Sequence, residues 1–165
     1  MDAHPAHKSI GIDGPRQLSA FIDNHIYFGN KLNIKEVMWP RALDVNDRSL
    51  REVVTRRGKD SFVITAASEL MAILALSKSI EDLKNRISDI IIGTNQEDAF
   101  IKVSDLKIED ALTLLLKDAL KPNLVISTEG VPAFVHAGPF ANIAHGCSSV
   151  IASQMALKLG DYIIT

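Results

Sequence analysis

Apolar residues recur with helical spacing in the first part of the chain. After Asp13 and Gly14, Pro15 is a residue type favoured at the first position of a helix. The side chains that follow with i, i+3, i+4, i+7 and i+8 spacing are Leu18, Phe21, Ile22, His25 and Ile26. This spacing places them on one face of an amphipathic helix. Gly29 predicts the end of that helix.

Short apolar runs then alternate with amphipathic segments. Runs rich in Ile, Val and Phe predict buried strands at Phe62–Thr65, Asp89–Gly93, Ala99–Val103, Leu124–Ser127, Ala133–Val135 and Asp161–Ile164. Apolar periodicity predicts helices at Ser68–Leu76, from Ser79 onward, at Ile108–Ala119 and at Asn142–Leu159. Asp47 is suited to cap a short helix. Ser79 starts the helix after Leu76, with Asp82 at its capping-box position, and the polar run Arg56–Asp60 is interpreted as a loop.

Strands separated by helices of this length predict an α/β fold, with a mostly parallel sheet that carries helices on both faces. Residues 1–13 are polar and aperiodic, so we expect a loose N-terminal tail ahead of a single α/β domain at residues 14–165. Ligands of such sheets bind beyond the carboxyl ends of the strands. Functional residues are therefore expected in the loops at residues 65–68, 127–131 and 136–142.

Composition narrows the classes of function. The chain has 165 residues, 47% of them hydrophobic, and a formal net charge of -2, so no basic field supports nucleic-acid binding. The longest apolar run, Leu70–Leu76, is too short to span a bilayer, and the N-terminus does not resemble a secretory signal. Cys147 is the single cysteine, which excludes an intrachain disulfide and suits a reducing compartment. We expect a cytoplasmic protein without nucleic-acid or membrane partners.

The segment Pro132–Gly146 has the pattern of a strand, a glycine-bearing loop and the start of a helix. Gly138 permits close backbone approach or a positive φ, Pro139 restrains its neighbour, and Asn142 is suited to cap the helix, whose first N–H groups can bind an anion. Near His136, this corner suits an acyl phosphate, a carboxylate or a nucleotide phosphate. On the local pattern alone, an ordinary turn whose polar residues cap the helix and bind one another is the favoured interpretation.

Other chemical signals are weaker. The sequence contains no GxxxxGK[ST], GxGxxG or GxSxG motif, and no histidine or cysteine spacing that predicts a metal site. Arg41 and Arg48 can each meet an anionic ligand, although a buried ion-pair or subunit-contact network is the more typical role. Cys147 has small and apolar helix neighbours, which favours a packed, inert thiol.

Several long blocks resemble, in order and spacing, the central stretch of formate–tetrahydrofolate ligases. They are Trp39–Arg51, Thr65–Leu76, Asp82–Gly93, Leu115–Leu124, Pro132–Ala152 and Ala156–Thr165. The sequence HAGPFANIAHG, at residues 136–146, is the most specific of them. The resemblance extends from about Leu18 to Thr165, which is nearly the whole chain.

The resemblance implies an ATP-dependent ligase of one-carbon metabolism, which joins formate to tetrahydrofolate through formyl phosphate and yields N10-formyltetrahydrofolate. It also implies Mg²⁺ with the ATP, activation by monovalent cations, a homotetramer and a fold of the phosphate-loop nucleotide-hydrolase type. Asn142 and His136 become candidate catalytic residues. The candidate residues for binding substrate or phosphate are Gly138, Pro139, Phe140 and Ala141.

The chain also departs from the family pattern. The phosphate-binding loop, with its lysine and threonine, and the glycine-rich signature that follows it have no counterpart here. We therefore expect an internal segment, incomplete relative to the family, inactive by itself and without a bound cofactor. The alternative is a non-catalytic structural or subunit-contact module, which an exposed apolar patch would favour.

Overall fold

The structure is a computed structural model that describes residues 5–43, 45, 47–56, 58–139, 141–142, 146 and 148–165, with only the backbone described for residues 5–12. The helices are α1 (Pro5–Tyr27), α2 (Glu69–Leu76), α3 (Ile80–Ser88), α4 (Val103–Leu106), α5 (Glu109–Leu116) and α6 (Val150–Ala156). The strands are β1 (Ile34–Val37), β2 (Arg41–Ala42), β3 (Val53–Thr55), β4 (Gly58–Asp60), β5 (Phe62–Val63), β6 (Ile91–Asn95), β7 (Phe100–Lys102), β8 (Asn123–Ile126) and β9 (Pro132–Val135). Two 3₁₀ helices, Arg48–Arg51 and Thr65–Ala67, complete the regular structure of these residues.

The strands form small sheets that are mostly antiparallel. Strands β1, β6 and β7 form an antiparallel three-stranded sheet, and β3–β4 and β8–β9 form antiparallel pairs. Among the described strands only β2 and β5 pair in parallel. The mixed α/β class is confirmed, whereas the predicted mostly parallel sheet is wrong. The connections β3–β4, β6–β7 and β8–β9 are too short for the crossover that parallel pairing requires.

Helix α1 carries the predicted apolar stripe but begins at Pro5, ahead of the predicted start at Pro15. Leu18 and Ile22 are fully buried, and Gly29, with φ +118°, follows the helix end as predicted. The division of the chain into a tail and one domain stays a prediction. No helix among the described residues has the length and apolar character that crossing a membrane requires.

One apolar cluster joins α1 to the remaining helices and to the three-stranded sheet. Helix α5 packs against both α1 and α3. The largest fully buried side chains of the cluster are Leu18, Ile22, Leu70, Leu74, Leu83, Ile87, Ile90, Ile92, Leu112 and Leu116. Burial of each such side chain contributes about 2 kcal/mol to stability before entropic costs, so this cluster is the main source of stability.

Several helices and strands have bounds that differ from those predicted from the sequence. The polar run at residues 56–60 is not all loop, because Gly58–Asp60 pairs with Val53–Thr55 as β4 of a tight hairpin. The helix expected over Asn142–Leu159 is described only at Val150–Ala156. The expected last strand, Asp161–Ile164, has no strand pairing.

Helix α3 begins as its sequence predicts. Ser79 is the N-cap, and its Oγ accepts a hydrogen bond from the Asp82 N–H at 3.1 Å. The Asp82 carboxylate accepts from the Lys78 N–H at 2.9 Å and from Arg86 Nε at 2.9 Å. These contacts give a variant of the capping box in which the carboxylate binds the residue before the N-cap.

Strands β1 and β6 approach each other closely at Gly93. A Cβ at Gly93 would overlap the Glu36 carbonyl oxygen of the neighbouring strand. Gly93→Ala is therefore expected to lower the free energy of unfolding by roughly 3 kcal/mol, measured by urea denaturation. The control is Gly138→Ala, where a Cβ meets no atom within 4 Å. Equal stability of the two variants would contradict the described strand packing.

The lowered pKa of Asp82 makes the stability of the folded chain depend on pH. The hydrogen bond from the Lys78 N–H, with help from Arg86, lowers the pKa of Asp82 below 3.8 in the folded chain. A lowered pKa contributes stability above the unfolded-state value, and this contribution is lost as the pH falls through the folded-state value. Asp82→Asn should therefore destabilise the chain at pH 7, and the difference from the unmodified chain should shrink below about pH 4.

The measurement is urea unfolding of both chains at several pH values. Asp118→Asn controls for the loss of one charge, because the Asp118 carboxylate pairs with Lys121 on an exposed surface. A difference for Asp82→Asn that stays constant from neutral to acidic pH would exclude the capping role.

Candidate functional site

His136 lies at the end of β9 and is fixed at both ring nitrogens. Its Nε2 is 2.8 Å from the Ala119 carbonyl oxygen, and its Nδ1 is 2.6 Å from Ser149 Oγ. A carbonyl oxygen only accepts, so Nε2 carries a proton and donates it to Ala119. In the neutral imidazole, Nδ1 then accepts a hydrogen bond from the Ser149 hydroxyl.

Ser149 joins this imidazole to helix α6. It is the N-cap of α6, its side chain is buried, and its Oγ accepts a hydrogen bond from the Ala152 N–H at 3.2 Å. A single hydroxyl thus donates to the ring and accepts from the helix. The imidazole links the segment after α5 to the start of α6, and this linkage fixes the start of the HAGPFANIAHG loop.

Asn142 does not cap the helix, which corrects the predicted helix start. It is exposed and lies in a turn seven residues before Ser149, the actual N-cap. Gly146, between Asn142 and Ser149, has φ +73°, which is not a helical value. Asn142 and Ser149 are both residue types that cap helices well, and sequence alone does not show which of them starts the helix. The signal for Ser149 is a serine directly before the apolar run Val150–Ala152.

Most of the described residues in the loop that follows His136 are exposed to solvent. Gly138, Ala141 and Asn142 are exposed, and the space around Gly138 is empty to 4 Å from an ideal Cβ. Of the two possibilities that the sequence leaves open at Gly138, close backbone approach or a positive φ, the positive φ does not occur there, whereas the neighbouring Ala137 has φ 36°. Pro139 is partly buried, and Phe140 lies outside the described residues. The roles of these residues in binding stay predictions.

Arg41 forms ion pairs with two carboxylates, at a distance in sequence from the HAGPFANIAHG loop. Its Nε donates to Asp60 at 2.8 Å, and its Nη2 donates to both carboxylate oxygens of Asp23 at 3.0 and 2.8 Å. Burial disfavours the charged guanidinium, but the hydrogen bonds to Asp60 and Asp23 outweigh it and raise the pKa of Arg41. The ion-pair network expected for this residue is confirmed, while Arg48 is exposed on its 3₁₀ helix.

Among the residues that the structure describes, no group of three or more histidine, cysteine, aspartate or glutamate side chains is arranged to hold a metal ion. The described part of the HAGPFANIAHG loop presents exposed backbone groups and the exposed Asn142.

Replacing Ser149 tests the link to His136. Ser149→Ala removes an N-cap and the hydrogen bond to Nδ1, and should lower the free energy of unfolding by about 2 kcal/mol. Ser79→Ala removes a comparable N-cap that is exposed, and should cost about 1 kcal/mol. Urea denaturation measures both variants, and equal losses would mean that the contact with His136 adds nothing.

Comparison with known proteins identifies the family. The family model described as formate–tetrahydrofolate ligase matches residues 13–165. The formate–tetrahydrofolate ligase of Acholeplasma laidlawii (strain PG-8A) is 68% identical over 148 residues. The enzymes of the same name from Thermosipho africanus (strain TCF52B) and Bacillus pumilus (strain SAFR-032) are 54% and 55% identical over 158 residues.

Each of these alignments covers 90% of this chain, but only 28–29% of the relative. The chain thus spans less than a third of the length of the curated relatives that it matches. The family match nevertheless extends over most of the chain and includes HAGPFANIAHG. The chain therefore belongs to the formate–tetrahydrofolate ligase family.

Proposed function

We propose that this chain is a segment of an ATP-dependent ligase that joins formate to tetrahydrofolate. In this reaction formyl phosphate forms first, and N10-formyltetrahydrofolate is the product that enters one-carbon metabolism. The family match over residues 13–165 is the observation that carries the proposal. Because the chain spans 28–29% of the length of its relatives, we expect it to be inactive without the remaining parts of such a ligase.

The HAGPFANIAHG loop is the part of the chain that we assign to the site. Its exposed residues Gly138, Ala141 and Asn142 offer backbone N–H groups and a side-chain amide to the oxygens of a phosphoryl or formyl group. Phosphoryl transfer depends on positioning and on stabilising developing negative charge, which such donors supply. The open space beside Gly138 lets a ligand approach the backbone closely.

His136 acts in this proposal as a positioning residue. Both of its ring nitrogens are engaged, by Ala119 and Ser149, so the imidazole holds the loop rather than exchanging a proton with substrate. Asn142 has an exposed amide, and is the better candidate for direct contact with the substrate.

We assign the nucleotide clamp to other parts of the full ligase. The chain contains no GxxxxGK[ST] motif, and its described residues offer no cluster of metal ligands for Mg²⁺. When Mg²⁺ is present with ATP, it supplies charge neutralisation at the transferring phosphoryl group. A phosphate-loop type of overall fold, activation by monovalent cations, homotetramer formation and a cytoplasmic location belong to the same proposal.

Exposed apolar side chains favour a second role, as a packing module of the ligase. Leu124, Ile126, Val131 and Val135 of the β8–β9 hairpin are each more than half exposed. Side chains of this kind are typical of a surface that another polypeptide segment covers. In this role the chain would contribute contacts within the enzyme, and no group would touch the substrate.

A chimeric enzyme distinguishes the two roles. This chain would replace the matching segment of the Acholeplasma laidlawii ligase, to which it is 68% identical. In the active chimera, Asn142→Ala should lower kcat/KM for formate by roughly 10- to 100-fold, because a donor to developing charge is lost. Asn85→Ala, at an exposed position on α3, is the matched control and should change kcat/KM less than about twofold.

Product formation would be measured as N10-formyltetrahydrofolate together with ADP release. Unchanged kinetics of Asn142→Ala in an active chimera would reject the assignment of the loop and leave the packing role. The 165-residue chain assayed by itself should release no ADP above background, and turnover by the isolated chain would contradict the proposed division of the site.

A further inference from the structure

A groove beside helix α1 contains three arginines, one of which is the ion-paired Arg41, and it includes no residue of the HAGPFANIAHG loop. It consists of two cavities of about 400 and 450 Å³, which share Arg41 and Thr55. Arg16 lines the first cavity and Arg56 the second. These four residues define the arginine groove.

Arg41 is held at the point that the two cavities share. Asp23 and Asp60 bind its Nη2 and Nε atoms, and its side chain is 22% exposed. Its third nitrogen, Nη1, has no hydrogen bond to any residue that the structure describes. The two carboxylates therefore fix the plane of the guanidinium while one NH₂ group stays available to a ligand.

Arg16 and Arg56 give the groove an excess of positive charge. Both are exposed, and neither forms an ion pair within the described ranges of the chain. Among the described residues, these three arginines carry one positive charge more than Asp23 and Asp60, the two carboxylates that bind Arg41. A purely structural role of Arg41 needs its two aspartates only, and leaves the presence of Arg16 and Arg56 in the same walls unexplained.

We propose that the arginine groove binds an oxyanion of the phosphate or carboxylate class. The anion would accept hydrogen bonds from Arg41 Nη1 and from the flanking side chains of Arg16 and Arg56. Guanidinium groups suit this ligand class, because their planar N–H donors match the oxygens of carboxylates and phosphates. No groove residue belongs to the 132–146 segment, so the proposal is independent of the assigned ligase chemistry.

Titration of the 165-residue chain with sodium phosphate, and separately with sodium acetate, tests the proposal at constant ionic strength. Amide ¹H–¹⁵N shifts of Ser19, Ala42 and Thr55, which line the groove, are the readout. We expect saturable shifts at these amides. Tighter binding of phosphate would identify the phosphate class, and equal or tighter binding of acetate would identify the carboxylate class.

Substitutions connect the binding to the groove. Arg16→Gln and Arg56→Gln should each weaken the apparent affinity by roughly fivefold or more, because each removes charged donors. Arg51→Gln removes an exposed arginine that lines neither cavity, and should change the affinity less than about twofold. Far-ultraviolet circular dichroism checks that all three variants are folded.

Two results would overturn the proposal. One is the absence of saturable shifts at the groove amides with either anion. The other is equal weakening by all three substitutions, which would mean that the anion responds to net charge and not to the groove.

Discussion

The burial of one apolar stripe of helix α1 is the interaction on which the rest of the chain depends. Leu18 and Ile22 lie in the cluster that also contains Leu70 of α2 and Leu116 of α5. Gly14 permits this approach, because a Cβ there would lie 2.8 Å from Leu70 Cδ2. The packing of α1 thus sets the positions of the helices around it.

The same helix organises polar contacts away from the core. The Pro15 carbonyl oxygen accepts a hydrogen bond from Trp39 Nε1 at 3.4 Å, and Asp23 binds Arg41 of β2. Helix α5 connects this region to the C-terminal part of the chain, because the Ala119 carbonyl just beyond it accepts a hydrogen bond from His136 Nε2. Packing of α1 and α5 is therefore connected, through few contacts, to the position of the HAGPFANIAHG loop.

Local chemistry explains which features could be predicted from the sequence. The caps at Asp47 and Ser79 and the stop at Gly29 involve neighbours within a few residues, and the structure contains all three. The pairing of β1 with β6 joins residues far apart in the chain, and periodicity carries no information about such partners. For the same reason the sequence does not predict the pairing of His136 with Ser149. Family membership was predictable because it rests on residue identities, which packing arguments do not use.

The central claim is that the folded chain holds its most distinctive loop through His136, whose ring binds the Ala119 carbonyl and the Ser149 hydroxyl. Long-range ¹H–¹⁵N correlation of the histidine rings at neutral pH tests this claim most directly. The Ala119 carbonyl only accepts, so the described contacts predict a proton on Nε2 and slow exchange of that proton with solvent. An unprotonated Nε2, or two ring nitrogens averaged by rapid exchange, would contradict it.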